Sequence, residues 1–172
     1  MRTLRFFIGL GLALLVHFVG VRLVPQFPLA VDLFLVVLVF QGLDGDAFAG
    51  LLAGVCIGLV QDTLGGGIYG LYGVTDTVVG YATAKVAQRV VIQRSTGVML
   101  AFTLASAAQQ VLLAVLALVV FPDPVLPEPA WALLRVGTTA VIGLLLWTGL
   151  SASRSRYASW RSSRTARVHF DR

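Results

Sequence analysis

Residues 47–85 read AFAGLLAGVCIGLVQDTLGGGIYGLYGVTDTVVGYATAK. Two apolar, glycine-studded stretches flank the triplet Gly65-Gly66-Gly67, and each is long enough as a helix to cross a hydrocarbon core of about 30 Å. In the first, Gly50, Gly54 and Gly58 recur every fourth residue and lay a groove along one helix face. In the second, Gly73 and Gly80 are followed by Ala84. Hydrophobicity does not drive helix against helix in lipid; close packing over small residues and interhelical polar contacts do. These faces either pack within the chain or receive the transmembrane helix of a partner.

The same character extends outward in both directions. The chain of 172 residues is 58% hydrophobic and 12% charged, with a mean hydropathy of +0.89. A soluble domain carries roughly 25% charged residues, since its surface faces water. The spacing predicts an all-α integral membrane protein with about six transmembrane helices, at residues 6–24, 29–43, 47–64, 68–84, 97–121 and 130–150. These form one domain over 1–150, and a basic cytoplasmic tail follows at 151–172. The second stretch is short, and a re-entrant hairpin would place Asp44 and Asp46 at membrane depth, where carboxylates are costly; two crossings are the better reading. The first stretch begins with Arg2 and Arg5, but no small-x-small cleavage site follows it, so it reads as a retained helix. Residues 122–129 hold four prolines and two acids, an external turn.

The charges set the orientation. Of the thirteen Lys and Arg, cytoplasmic stretches would hold Arg2, Arg5, Lys85, Arg89, Arg94 and six in the tail, while external loops would hold only Arg22. The positive-inside rule therefore places both ends in the cytoplasm of a bacterial inner membrane, which requires an even number of crossings. This clustering is a topology signal and does not form a nucleic-acid face. In the tail, Arg154, Arg156, Arg161, Arg164 and Arg167 surround Tyr157 and Trp160, a composition suited to anionic lipids.

Polar residues within the spans are the candidate site. Asp32, Asp62, Asp76 and Arg135, with Gln61, Gln109 and Gln110 beside them, are the informative ones, and the four charged residues fall in the outer half of the membrane under this topology. Isolated charges there are unfavourable, so mutual pairing is expected, with Arg135–Asp76 the first candidate pair. Two readings stand side by side: an outward polar pocket for a ligand or partner, or a salt bridge that orients helices, with Asp62 capping the glycine-rich turn. His17 alone makes no metal site. The glycines after Leu64 lack the Lys and Ser/Thr of a phosphate loop, and no nucleophile stands with a positioned base. Neither an enzyme nor a cofactor or metal is indicated.

The stretch GLVQDTLGGGIYGLYG at 58–73, continuing as VTDTVVGYATAK to Lys85, resembles the hallmark region of the MreD family of rod shape-determining membrane proteins. The shared features are a Gly-rich helix ending in Asp62, a turn with Gly65, Gly66 and Gly67, the pair Gly70-Leu71, and Gly80-Tyr81 near the end of the next helix. The resemblance implies a non-catalytic scaffold of the cell-elongation and peptidoglycan-synthesis machinery. Its partners would be an MreC-like single-span protein, the peptidoglycan glycosyltransferase and transpeptidase of the lateral wall and, indirectly, MreB filaments. It also implies a fold similar to the substrate-capture subunits of energy-coupling-factor transporters. The competing reading is a small-molecule-binding subunit of a vitamin-type transporter, which would use Asp32, Asp76 or Arg135 for its ligand. The scaffold reading expects a partner on a small-residue face such as Gly50/Gly54/Gly58.

Overall fold

A computed structural model describes residues 2–44, 46–65, 70–89, 95–122 and 128–167, with side chains over 3–152 within those ranges. Every described element is helical: α1 Arg2–Leu23, α2 Phe27–Ala30, α3 Leu33–Leu43, α4 Ala47–Gly65, α5 Leu71–Arg89, α6 Ser95–Val120 and α7 Pro129–Arg167. The chain is an all-α membrane bundle. Among the described residues, residues 3–23, 47–65, 95–120 and 129–152 are each long and apolar enough to cross a membrane. The α5 helix is as long as α4 but more polar, and α2 with α3 forms a shorter apolar unit. Gly66, Gly67 and most of the expected proline-rich turn lie outside the described residues.

Two differences from the sequence expectation matter. The second stretch is not one helix: it breaks at Val31–Asp32 into a one-turn α2 and an eleven-residue α3. The last stretch does not end near residue 150. The α7 backbone stays helical through Arg167, 39 residues or about 58 Å at 1.5 Å per residue, about twice the hydrocarbon thickness. Arginine, serine and alanine all tolerate a helix, and no proline or glycine follows Gly149 to stop it.

The eleven-residue α3 is the central element. α3 touches α1, α4, α5, α6 and α7. Its sequence LFLVVLVFQGL is apolar on all sides, as a fully surrounded helix must be, and Leu35, Leu38 and Val39 are completely buried. Ile57, Val79, Val98, Phe102 and Ala140 close around them from the other helices. The α1 helix packs chiefly on α3 through Phe6, Leu10 and Ala13, and presents Phe7, Ile8, Leu12, Leu15 and Phe18 outward.

The most extensive pairing is α4 with α5, and the glycines make it. A Cβ on Gly50 would sit 2.6 Å from the carbonyl oxygen of Gly80, and one on Gly80 would strike Gly50 in return. A Cβ on Gly54 would meet the backbone of Asp76 and Thr77, and one on Gly58 that of Tyr72 and Gly73. Backbone lies against backbone along the whole pair. The Gly50/Gly54/Gly58 face, with Gly80 opposite it, is therefore filled by the chain's own α5, the internal one of the two occupants that the sequence leaves open.

Gly54→Leu should accordingly destabilise the isolated protein, with no partner present, by about 1–3 kcal/mol or more, since the facing atoms are backbone and cannot rotate away. Gly137→Ala, where a Cβ meets nothing within 4 Å, should leave stability unchanged or raise it by up to about 1 kcal/mol, since alanine is the better helix former. Equilibrium unfolding of both variants in detergent micelles checks this.

Candidate functional site

The break between α2 and α3 leaves loose backbone groups inside the bundle, and α7 satisfies them. The Thr138 hydroxyl donates to the carbonyl of Ala30, and the Asp32 N–H donates to Thr139 Oγ1 at 3.1 Å. Asp32 itself caps α3, with Oδ1 accepting from the Leu35 N–H at 2.9 Å. The same Oδ1 accepts from Gln61 Nε2 at 2.9 Å, while Oδ2 takes the Arg135 guanidinium as an ion pair. Arg135 also donates from its other terminal nitrogen to the Tyr72 hydroxyl at 3.3 Å and lies 5.9 Å from that ring's centroid. One carboxylate thus joins α3, α4 and α7, and through Arg135 it reaches α5.

The expected Arg135–Asp76 pair is not formed. Asp76 faces α6, where Gln109 Nε2 donates to its Oδ1 at 2.8 Å. Depth in the membrane suggested the pairing, but facing direction decided it. Gln110, one residue on and a third of a turn away, makes no hydrogen bond through its Nε2 among the described residues. Thr75, Asp76, Ser106 and Gln109 form a fully buried polar seam between α5 and α6, separate from the Asp32 cluster.

Asp62 has a third role. From the end of α4 it accepts the N–H groups of Gly70 at 2.8 Å, Tyr72 at 3.0 Å and Gly73 at 3.0 Å. These are the first donors of α5, which no turn of that helix can satisfy. The carboxylate also lies at the positive end of the helix dipole. Gly70 has φ +107°, a backbone region L-residues rarely adopt, and a Cβ on Gly73 would come within 3.3 Å of Asp62 Oδ2. The motif is a hairpin lock: acid at the end of one helix, glycine at the turn, glycine where the acid approaches.

A cavity of about 340 Å³ opens at this end of the bundle. Asp32, Arg135, Gln61, Tyr72 and His17 supply its polar lining, and Pro25, Pro28, Leu29 and Phe34 its apolar walls. Of the residues the sequence groups into an outward pocket, Asp32 and Arg135 line it, whereas Asp62, Asp76, Gln109 and Gln110 do not. Tyr72, Thr138 and Thr139 were missed. The two threonines stand three and four residues after Arg135, the spacing that shares a helix face, and that was a readable signal. A second groove, about 180 Å³, lies between α5 and α6 over Val79, Ala82, Thr83, Ala101, Ala105 and Ala108.

Removing Arg135 alone leaves Asp32 charged and buried, so Arg135→Met should cost roughly 3–5 kcal/mol, and the Asp32→Asn/Arg135→Met double variant should recover part of it. Asp62→Ala, which orphans three helix donors, should cost roughly 2–4 kcal/mol, and Asp62→Asn less. A double-mutant cycle read by unfolding in micelles measures the first, and the single variants the second.

A family model described as rod shape-determining protein MreD matches residues 1–128, which include Asp32, Gln61, Asp62 and the glycine hairpin. No curated protein and no solved structure matches the chain.

Proposed function

The chain belongs to the rod shape-determining protein MreD family, and we propose that it serves as a non-catalytic scaffold binding an MreC-like single-span membrane protein. It is a multi-pass membrane protein, and the family's role is in determining rod shape. Within the proposal, the protein lies in the bacterial inner membrane with both termini cytoplasmic. It brings its partner to the lateral-wall glycosyltransferase and transpeptidase and, indirectly, to MreB filaments. The concentration of Lys and Arg at both ends of the chain supports that orientation. The tail's content of Arg154, Arg156, Arg161, Arg164 and Arg167 suits the anionic inner leaflet by composition.

One observation carries the scaffold reading: each acidic side chain described inside the bundle holds helices together. Asp32 ties α3 to α4 and α7, Asp62 locks α4 to α5, and Asp76 joins α5 to α6. Alternating access needs elements with two arrangements, whereas these contacts commit the helices to one. A fixed bundle suits a surface on which another protein is set.

With the α4–α5 glycines buried against each other, the partner's helix belongs on an outer face. The α5–α6 groove fits it. Its lining is apolar, with Ala82, Ala101, Ala105 and Ala108 set among Val79, Val86 and Leu104, and the one hydroxyl there, on Thr83, is already bonded to the Val79 carbonyl at 2.8 Å. Small residues allow the close backbone approach by which helices associate in lipid.

The test is affinity purification of the tagged protein from native membranes, with mass spectrometry of the co-purifying chains. A single-span protein with wall-synthesis enzymes is the expected recovery, and Ala108→Trp, at an exposed edge of the groove, should abolish it while the protein still inserts. Recovery unaffected by that substitution would move the seat elsewhere. Recovery of no single-span partner would defeat the scaffold reading.

A further inference from the structure

The α5–α6 groove and the end of α5 just beyond it place hydrocarbon and positive charge in series, as the two parts of a phospholipid require. The groove runs between Val79, Ala82 and Val86 on α5 and Ala101, Leu104 and Ala108 on α6. From Val79 to Val86 it extends about 10 Å at 1.5 Å per residue. Its volume of about 180 Å³ falls short of the roughly 300–1,000 Å³ usual for small-molecule sites. Ala82, Val86, Leu104 and Ala108 are exposed, so it is open along its side. A narrow, side-open apolar slot takes a length of acyl chain and has no room for a compact ligand.

Charge begins where the slot ends. Lys85 and Arg89 stand four residues apart and share one face of the last turns of α5. Arg89 also follows Ala82 by two helical turns, so it continues the wall of the slot. Both cations are exposed, and neither has a carboxylate partner among the described residues. Lys85 Nζ lies 5.7 Å from the centroid of the exposed Tyr81 ring. The acids at this end of the bundle are turned elsewhere. Gly42 packs on Thr83 and Ala84, and Gly50 on Gly80 and Ala84, so the turn with Asp44 and Asp46 lies on another side of α5. Asp46 Oδ1 is moreover engaged by the Phe48 and Ala49 N–H groups at 3.1 and 3.2 Å.

We propose that in the partner-free protein this surface holds one anionic phospholipid, with an acyl chain in the α5–α6 groove and its phosphate between Lys85 and Arg89. Tyr81 then stands at headgroup level, where amphipathic rings collect. Two adjacent cations favour a lipid of net negative charge over a zwitterionic one, whose own cation they repel. A partner's helix takes the seat by displacing this lipid. That displacement rests on the scaffold reading, whereas the lipid site itself does not.

The full-length protein, purified in detergent without a partner, would be titrated with phosphatidylglycerol and with phosphatidylcholine of identical chains. Native mass spectrometry counts the lipids retained. One phosphatidylglycerol should bind about tenfold more tightly than phosphatidylcholine. The double substitution Lys85→Gln/Arg89→Gln, at two exposed positions, should remove that tight step and leave phosphatidylcholine binding as it was. Ala82→Trp, which fills the slot from an exposed wall position, should weaken both lipids severalfold. Equal binding of the two lipids by the unaltered protein overturns the proposal. So does a preference that survives Lys85→Gln/Arg89→Gln, which would assign it to the arginines after residue 152, or binding indifferent to Ala82→Trp. With no partner in the sample, failure here leaves the scaffold reading standing, and failure to recover a partner from membranes leaves the lipid site standing.

Discussion

A helix that breaks within a bundle exposes backbone groups that apolar side chains cannot satisfy, and much of this bundle's polar structure answers that one problem. The break at Val31–Asp32 is tolerated because α7 covers it with Thr138 and Thr139, and because Asp32 caps the helix that resumes. Capping places the carboxylate inside the bundle, where a charge needs a partner, and Arg135 is that partner, on the same helical face as the two threonines. Gln61 then completes the carboxylate's coordination from α4. The bend and the ion pair are one device. It fixes the register of α3, the central helix, against three neighbours at once.

The α4–α5 hairpin meets a different constraint with equal economy. Two helices joined by glycines have no reason to stay aligned unless something holds their ends and something permits their approach. Asp62 holds the ends by accepting three N–H groups from the start of α5. Gly50, Gly54, Gly58 and Gly80 permit the approach, since any Cβ there would overlap the facing backbone. The stretch that carries the family resemblance is thus an assembly motif, and its residue types follow from geometry alone: an acid to cap, a positive φ at Gly70, small residues between.

What was legible in the sequence follows from which forces act along the chain and which act across it. Helix positions were readable because hydrocarbon thickness sets span length, and α6 at Ser95–Val120 lies within two residues of the predicted 97–121. The cap at Asp62 was readable because a glycine-rich turn after an acid offers little else. The break before α3 was not, because Asp32 reads as one polar residue within an apolar run until α7's threonines are seen to take up the broken turn. Arg135 was assigned the wrong aspartate for a related reason: position along a span gives depth, but rotation about the axis depends on packing that only the folded bundle supplies. The glycine face was visible as a packing face, yet whether the occupant is internal or foreign is not a property of the face itself.

The distribution of these locks bears on how the protein works. Asp32, Gln61, Asp62, Tyr72 and Arg135 all lie where α3, α5 and α7 begin and α4 ends, so the strongest polar contacts gather at one end of the bundle. Further along α4 and α5 the pairing rests on backbone contact between glycines. The α5–α6 side is different: it has the Asp76–Gln109 bond and an apolar groove beyond it, with no ion pair among the described residues. A bundle pinned in this way resists shear between α3, α4 and α5, and leaves the apolar groove on the outer side of α5 and α6 free of any polar lock. A partner helix seated there would gain contact area without disturbing any lock. The rigidity of the polar end and the availability of the α5–α6 face are therefore complementary consequences of where the sequence places its few charges.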